Sequence, residues 1–259
     1  MDTLENSTRQ VDESAATPAH HAVRFSGPEG LPADYKDLLV RMLSIQSRIE
    51  SEYMLAPDRT LIKPLAMAPT PEDKAEYAAF WSDEVRHASY WMKLLAELGV
   101  KVDDAFMAQP MPIYIFEMRD RAEDWIEYGL FSFFADRQGA YMGYEWVGCS
   151  YEPLARISDR VHKEELGHAA FGHRILRRVI QRDTEHGRER IAHYLKKWYP
   201  AGLDMFGKSG SKRQGDFVKW GLRKRTNEQM RDEFIAEVNG LLARLEIPIP
   251  DPHAGRRYL

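Results

Sequence analysis

A chain of 259 residues with 44% apolar and 29% charged side chains has the balance of a globular protein, large enough for one sizeable core or two small ones. Its 36 basic and 40 acidic residues leave a net charge of -4, which gives no footprint for nucleic acid. The longest run of apolar, Gly or Ser residues, Tyr128 to Ala135, falls far short of the ~20 residues of a membrane helix. The lone Cys149 cannot form an internal disulfide, and the polar opening has no basic segment leading into an apolar one, so the expected compartment is the cytoplasm.

Residues 1–31 are rich in Ser, Thr, Pro, Gly and charge without an apolar period, and are expected to form a mobile arm ahead of a single domain, residues 32–259. From Pro32 onward, Tyr35, Leu38, Leu39, Met42, Leu43, Ile45 and Ile49 recur at three and four spacing, which predicts a first helix ending before Pro57. Asp58 to Pro71, with Pro64 and Pro69 inside it, reads as a crossing loop. Thr70, Pro71, Glu72 and Asp73 form an N-cap, a proline at the first helical position and two acids, opening a second helix that Gly99 stops.

A short piece at Ala105 to Met107 precedes a proline-broken loop. Long helices then follow from about Arg121 to Gly148 and from Pro153 to Arg182. A shorter one ends at Tyr199 and Pro200, and a final helical region runs from about Phe217 to Leu245. No segment alternates with strand period. The expected fold is all-α, four core helices with C-terminal additions.

Two Glu-x-x-His units, Glu84 with His87 and Glu165 with His168, each present a carboxylate and an imidazole on one helical face. Such a unit is half of a carboxylate-bridged dimetal site, which needs one further carboxylate from each of two other helices at the same height. Glu52 and Glu84 are equidistant from the centre of their connection near residue 68, and Asp136 and Glu165 from a turn near residues 150 and 151. Glu52 is therefore preferred over Glu50, and Asp83 and Glu164 rank below their neighbours as one position off the metal face.

Asp136 sits in a helix that is apolar almost all round, where a carboxylate must be paired or bound to metal; a partner at Arg137 or at an arginine of another helix is the bland alternative. The small residues Ser132, Gly139, Ala140 and Gly143 on its face leave room for a ligand or for close helix packing. His162 and His173 lie off the metal-facing positions. The basic run Lys219, Arg223, Lys224 and Arg225 reads as a solvated face. Oxygen and imidazole donors suit iron, with manganese as the alternative, better than zinc.

The segments QSRIESEY, DEVRH, FFADRQGAYMGYEWVGCSYEPLAR, HKEELGH, WYPAGLDMFG, KWGLRKRTNEQMRDEF and IPIPDP resemble the catalytic subunits of the ring 1,2-phenylacetyl-CoA epoxidase family, over about residues 35 to 252. The resemblance implies a ferritin-like di-iron fold with metal-holding, catalytic positions at Glu52, Glu84, His87, Asp136, Glu165 and His168. It also implies epoxidation or hydroxylation of an aromatic or otherwise unactivated substrate, such as a CoA thioester. Dioxygen and NADPH electrons would be used, the electrons arriving through a separate reductase, with a related structural subunit or a second copy as partner. The alternative function is iron or manganese oxidation or storage on the same fold.

Overall fold

The computed structural model describes residues 23–103, 106 and 114–258. Most of the expected mobile arm and of the short piece at Ala105 to Met107 lies outside them. Helix α1, Ala33–Leu55, buries the stripe Tyr35, Leu39, Leu43, Glu50 and Tyr53. It packs against α3, Pro71–Glu97. The Thr70 hydroxyl caps α3 by accepting from the Asp73 amide at 3.0 Å, as the sequence predicts. The pair is antiparallel, since Tyr53 meets Phe80 while the earlier Glu50 meets the later Trp91.

The crossing segment corrects the loop expectation. It holds a π-helical turn at Asp58–Ile62 and a short helix α2, Lys63–Met67. Pro64 lies in the first turn of α2, where its missing N–H costs nothing. The Thr60 hydroxyl donates to Ala56 O at 3.0 Å, and Tyr77 on α3 donates to Thr60 O at 2.7 Å.

After α4, Ile115–Asp120, the long apolar helix comes in three pieces: α5, Trp125–Phe131, a π-helical turn at Ser132–Asp136, and α6, Arg137–Trp146. It lies antiparallel to α7, Glu152–Arg182. Gly143 faces His162, Gly139 faces Glu165, Gly172 faces Phe133, and Gly129 faces Ile175. A Cβ on Gly172 would stand 2.4 Å from the Phe133 amide nitrogen, so glycine sets the approach of these helices. Helix α3 also packs on α7, joining the two pairs.

Helix α8, Thr184–Asp204, runs past the expected stop at Pro200. The proline forfeits one backbone hydrogen bond, while burial of Tyr199, Ala201 and Leu203 holds the extra turn in place. The final helical region resolves into α9, Lys212–Lys219, and α10, Asn227–Arg244, the latter opened by a Thr226–Gln229 capping box. The end of the expected arm is docked: Phe25 exchanges backbone hydrogen bonds with Ser150 and Glu152 at 2.8 and 2.9 Å and rests on the Tyr35 ring. Among the described residues there is no strand, only this isolated bridge, and no helix is long and apolar enough to cross a membrane.

Candidate metal centre

Glu84 and His87 share one face of α3, Glu165 and His168 one face of α7, and both faces turn inward where the helix pairs meet. Glu50 comes from α1, and Asp136 closes the π-helical turn. All six side chains are buried. Ligand atoms of Glu50, Glu84, His87 and Glu165 lie within 4.8 Å of one another. On the other side of Glu165, His168 Nδ1 stands 3.0 Å from Glu84 Oε1 and 3.7 Å from Glu165 Oε2. The two oxygens of Glu165 thus face different histidines, Oε1 lying 3.5 Å from His87 Nδ1.

Glu50, not Glu52, enters this cluster. Glu52 points outward and takes an ion pair from Arg59 at 3.0 Å. Both residues are level with α3, so height along the helix does not separate them; rotation does. Glu50 follows Leu43 by seven positions and precedes Tyr53 by three, on the buried stripe of α1, and it accepts a hydrogen bond from Trp91 Nε1. The apolar periodicity already contained that signal.

Asp136 does not pair with Arg137, whose guanidinium goes to Glu237 and to the carbonyls of Phe133 and Ala169. Gly139 has a specific use: a Cβ there would lie 2.7 Å from Glu165 Oε2, so the glycine admits that carboxylate. His162 bonds the Ala140 carbonyl at 2.8 Å, away from the cluster.

Asp83 and Glu164 brace the histidines crosswise. His87 of α3 directs Nε2 to Glu164 of α7 at 2.8 Å, and His168 of α7 directs Nε2 toward Asp83 of α3 at 3.4 Å. Arg86 links the two acids, reaching Glu164 at 2.8 Å. Outer carboxylates of this kind fix the ring orientation of a metal-bound histidine and raise its basicity. The sequence signal is an acid immediately before each Glu-x-x-His unit.

Inside the cluster, the imidazole Nδ1 atoms of His87 and His168 have only the cluster's own carboxylates as neighbours, and Asp136 Oδ2 is buried without a hydrogen-bond partner. The close group of Glu50, Glu84, His87 and Glu165 offers hard oxygen and imidazole donors, a donor set that fits a metal ion; a buried carboxylate oxygen left without a partner beside them is rare unless a cation is bound. Electrostatics agree. Burial, then Glu165 and Glu84, drives Asp136 well above the carboxyl range, and burial likewise raises Glu84 and Glu50. Burial would lower His87, yet Glu165, Glu84 and Glu50 outweigh it and hold the imidazole at about 10. Burial works against ionisation of Glu165 too, but the two facing histidines bring it down to about 2. The cluster demands positive charge, and protons supply it where no cation does.

A cavity of about 140 Å³ opens off the carboxylates, walled by Ile49, Tyr53, Phe116, Met142, Phe206 and Met230. The basic run is not a solvated face as a whole. Arg223 lines this cavity. Lys224 and Arg225 both donate backbone N–H groups to the buried Glu145, at 2.6 and 2.8 Å, and Arg225 Nε adds a third bond at 2.7 Å.

The fold and cluster define a helical bundle with a buried carboxylate-histidine centre able to hold metal. The family model described as phenylacetic acid catabolic protein matches residues 23–257, and the chain belongs to that family. It is 24% identical to one subunit of the 1,2-phenylacetyl-CoA epoxidase of Escherichia coli (strain K12), over 86% of this chain and 72% of that subunit. It is also 24% identical to a component of the benzoyl-CoA oxygenase of Aromatoleum evansii, over 46% of this chain and 29% of that component.

Proposed function

We propose that this chain is the metal-bearing component of a cytoplasmic di-iron monooxygenase. Electrons from NADPH would arrive through a separate reductase, and the product would be an epoxide or hydroxyl on an aromatic or otherwise unactivated acid or its CoA thioester. Glu50, Glu84, His87, Asp136, Glu165 and His168 would hold the two irons. The observation that carries this reading is Glu165, whose two oxygens face the Nδ1 atoms of two different histidines inside a buried set of carboxylates. Both relatives are named for oxygen-inserting enzymes of aromatic CoA thioesters, which supports the choice over metal storage.

Iron held there would supply the redox chemistry toward dioxygen. The protein's own part is geometric. Asp83, Glu164 and Arg86 hold the imidazoles in orientation. The apolar walls keep water from the reacting face, and the cavity, about 140 Å³, is close to the ~150 Å³ that holds a benzene ring in an engineered apolar site. The test is iron per chain together with an oxygen-dependent absorbance change after reduction, in wild type and in Glu165→Ala and His168→Ala. Two irons and a transient change in wild type, both lost in the variants, are expected. Equal iron content in all three would sink the reading, and mineral formed from excess ferrous ion would favour storage; manganese loaded in place of iron tests the metal.

A further inference from the structure

Beside the metal centre lies a second, smaller core, whose buried members include Tyr53, Tyr77, Phe80, Trp125 and Tyr128. Its rings form a continuous path. The His168 imidazole meets the Phe80 ring edge-on with centroids 4.6 Å apart, Phe80 lies 5.3 Å from Tyr77, and Tyr77 lies 5.9 Å from Trp125. Tyr53, which lines the cavity, joins the same path at Phe80, 5.7 Å away. Tyr77 is 2% exposed and Trp125 8%, so the path leads from a metal-facing histidine through the interior to its most exposed ring.

Packing alone does not account for the choice of rings. Phenylalanine would fill the same space as tyrosine with no hydroxyl to satisfy. Yet the hydroxyl of Tyr128, whose ring lies 5.9 Å from Trp125, is buried without a partner, and a buried polar group left so costs stability. What tyrosine and tryptophan offer beyond phenylalanine is oxidation: theirs are the side-chain rings that give up an electron most readily, and ring contacts this close pass an electron faster than an enzyme turns over. The cavity wall also has something to protect, since Met142, Met205 and Met230 line it and thioethers oxidise to polar sulfoxides.

We infer that Phe80, Tyr77 and Trp125 form an electron-transfer chain that returns an electron to the iron centre when dioxygen has oxidised it and no substrate is there to react. This rests on the di-iron reading and adds a protective activity to it. Trp125 gives up one electron, which passes through Tyr77 and across Phe80 to the oxidised centre. The Tyr77 hydroxyl donates to the Thr60 carbonyl at 2.7 Å, and a carbonyl is too weak a base to keep the phenol proton, so Tyr77 is refilled from Trp125. The indole N–H proton leaves to solvent at Trp125. One electron from an external reductant such as ascorbate, together with one proton, restores the indole.

The test is oxygen exposure of the reduced, iron-loaded chain without substrate, in wild type, Tyr77→Phe and Trp125→Phe, with zinc-loaded chain as the redox-inert control. Iron is counted on each sample: a chain that binds none overturns the di-iron reading and this inference with it, whereas full iron without the effects below overturns this inference alone. Freeze-quenched samples are read by electron paramagnetic resonance and, after repeated cycles, by peptide mapping of oxidised residues. The expected result in iron-loaded wild type is an indole radical, with oxidation concentrated at Trp125; both are lost in Trp125→Phe and in the zinc control. In Tyr77→Phe the radical is lost and oxidation moves to Met142, Met205 and Met230. Absence of the radical in iron-loaded wild type, the same oxidation map in wild type and Tyr77→Phe, or a radical that persists in Trp125→Phe each overturns it, the last by pointing to an exit through Trp81, which also packs on this core. The wild-type radical and map stand even if a variant fails to fold.

Discussion

At the scale of single residues, the division between Glu50 and Glu52 can be tested directly. Glu50→Ala is expected to lose at least half of the iron bound per chain, whereas Glu52→Ala, which removes only an outward pair to Arg59, keeps it; metal analysis after desalting checks both. A surface pair of that kind contributes ~0–1 kcal/mol to stability, so Glu52→Ala is also expected to melt near wild type. The braces act more weakly than the ligands. Asp83→Asn and Glu164→Gln each remove the carboxylate behind one imidazole and are expected to weaken metal affinity by ~10–100-fold, read by competition with a chromogenic chelator. Glu84, His87, Asp136, Glu165 and His168 are legible in the sequence because type and spacing specify a shared face. Glu50 is hidden because counting from a loop centre fixes height along a helix but not rotation about its axis, and only the buried stripe through Leu43 and Tyr53 resolves that.

At the scale of helices, two glycines separate function from packing. Gly139→Ala would place a Cβ 2.7 Å from the Glu165 carboxylate, whereas Gly172→Ala would place one 2.4 Å from the Phe133 backbone nitrogen. A carboxylate at the end of a side chain can shift, but two helix backbones in contact cannot without moving the helices. Gly139→Ala is therefore expected to lower metal occupancy with a small change in Tm. Gly172→Ala should destabilise by ~1–3 kcal/mol, read as a lower midpoint in urea. Helix existence is legible from caps, prolines and apolar period at Thr70, Pro71 and Pro153. The π-helical turns are not, because one extra residue in a turn leaves the surrounding composition unchanged. The turn at Ser132–Asp136 nonetheless ends on Asp136, and such insertions are frequent at functional sites. Composition misleads at Arg223 for a related reason: its neighbours are basic, but α9 and α10 fold over it, and local composition carries no record of that tertiary cover.

At the scale of the whole molecule, the bundle joins two helix pairs through a centre rich in negative charge, so its stability must respond to what neutralises that centre. Without metal, His87 titrates near 10 in the folded chain against 6.5 for an ordinary imidazole, and His168 is also raised well above that value. The folded state then binds protons more tightly than the unfolded state. This contribution is fully present below pH 6.5 and is lost as pH rises toward 10. Groups of opposite sign act elsewhere: burial and nearby arginines lower His173 to about 4, so its effect falls between pH 4 and 6.5, and Asp83 and Glu165, each near 2, act in acid. Burial raises Cys149 from 9.0 to about 11, which adds in the same direction as the histidines only above pH 9. The metal-free chain is expected to lose Tm steadily between pH 7 and 10. Metal binding displaces the imidazole protons, so it strengthens over the same range, and the gap in Tm between metal-loaded and metal-free chain should widen as pH rises. Scanning calorimetry at pH 6, 7, 8 and 9 with and without manganese measures both slopes. A metal-free Tm that is flat or rising over that interval would show that the six buried groups do not share their protons as a single cluster.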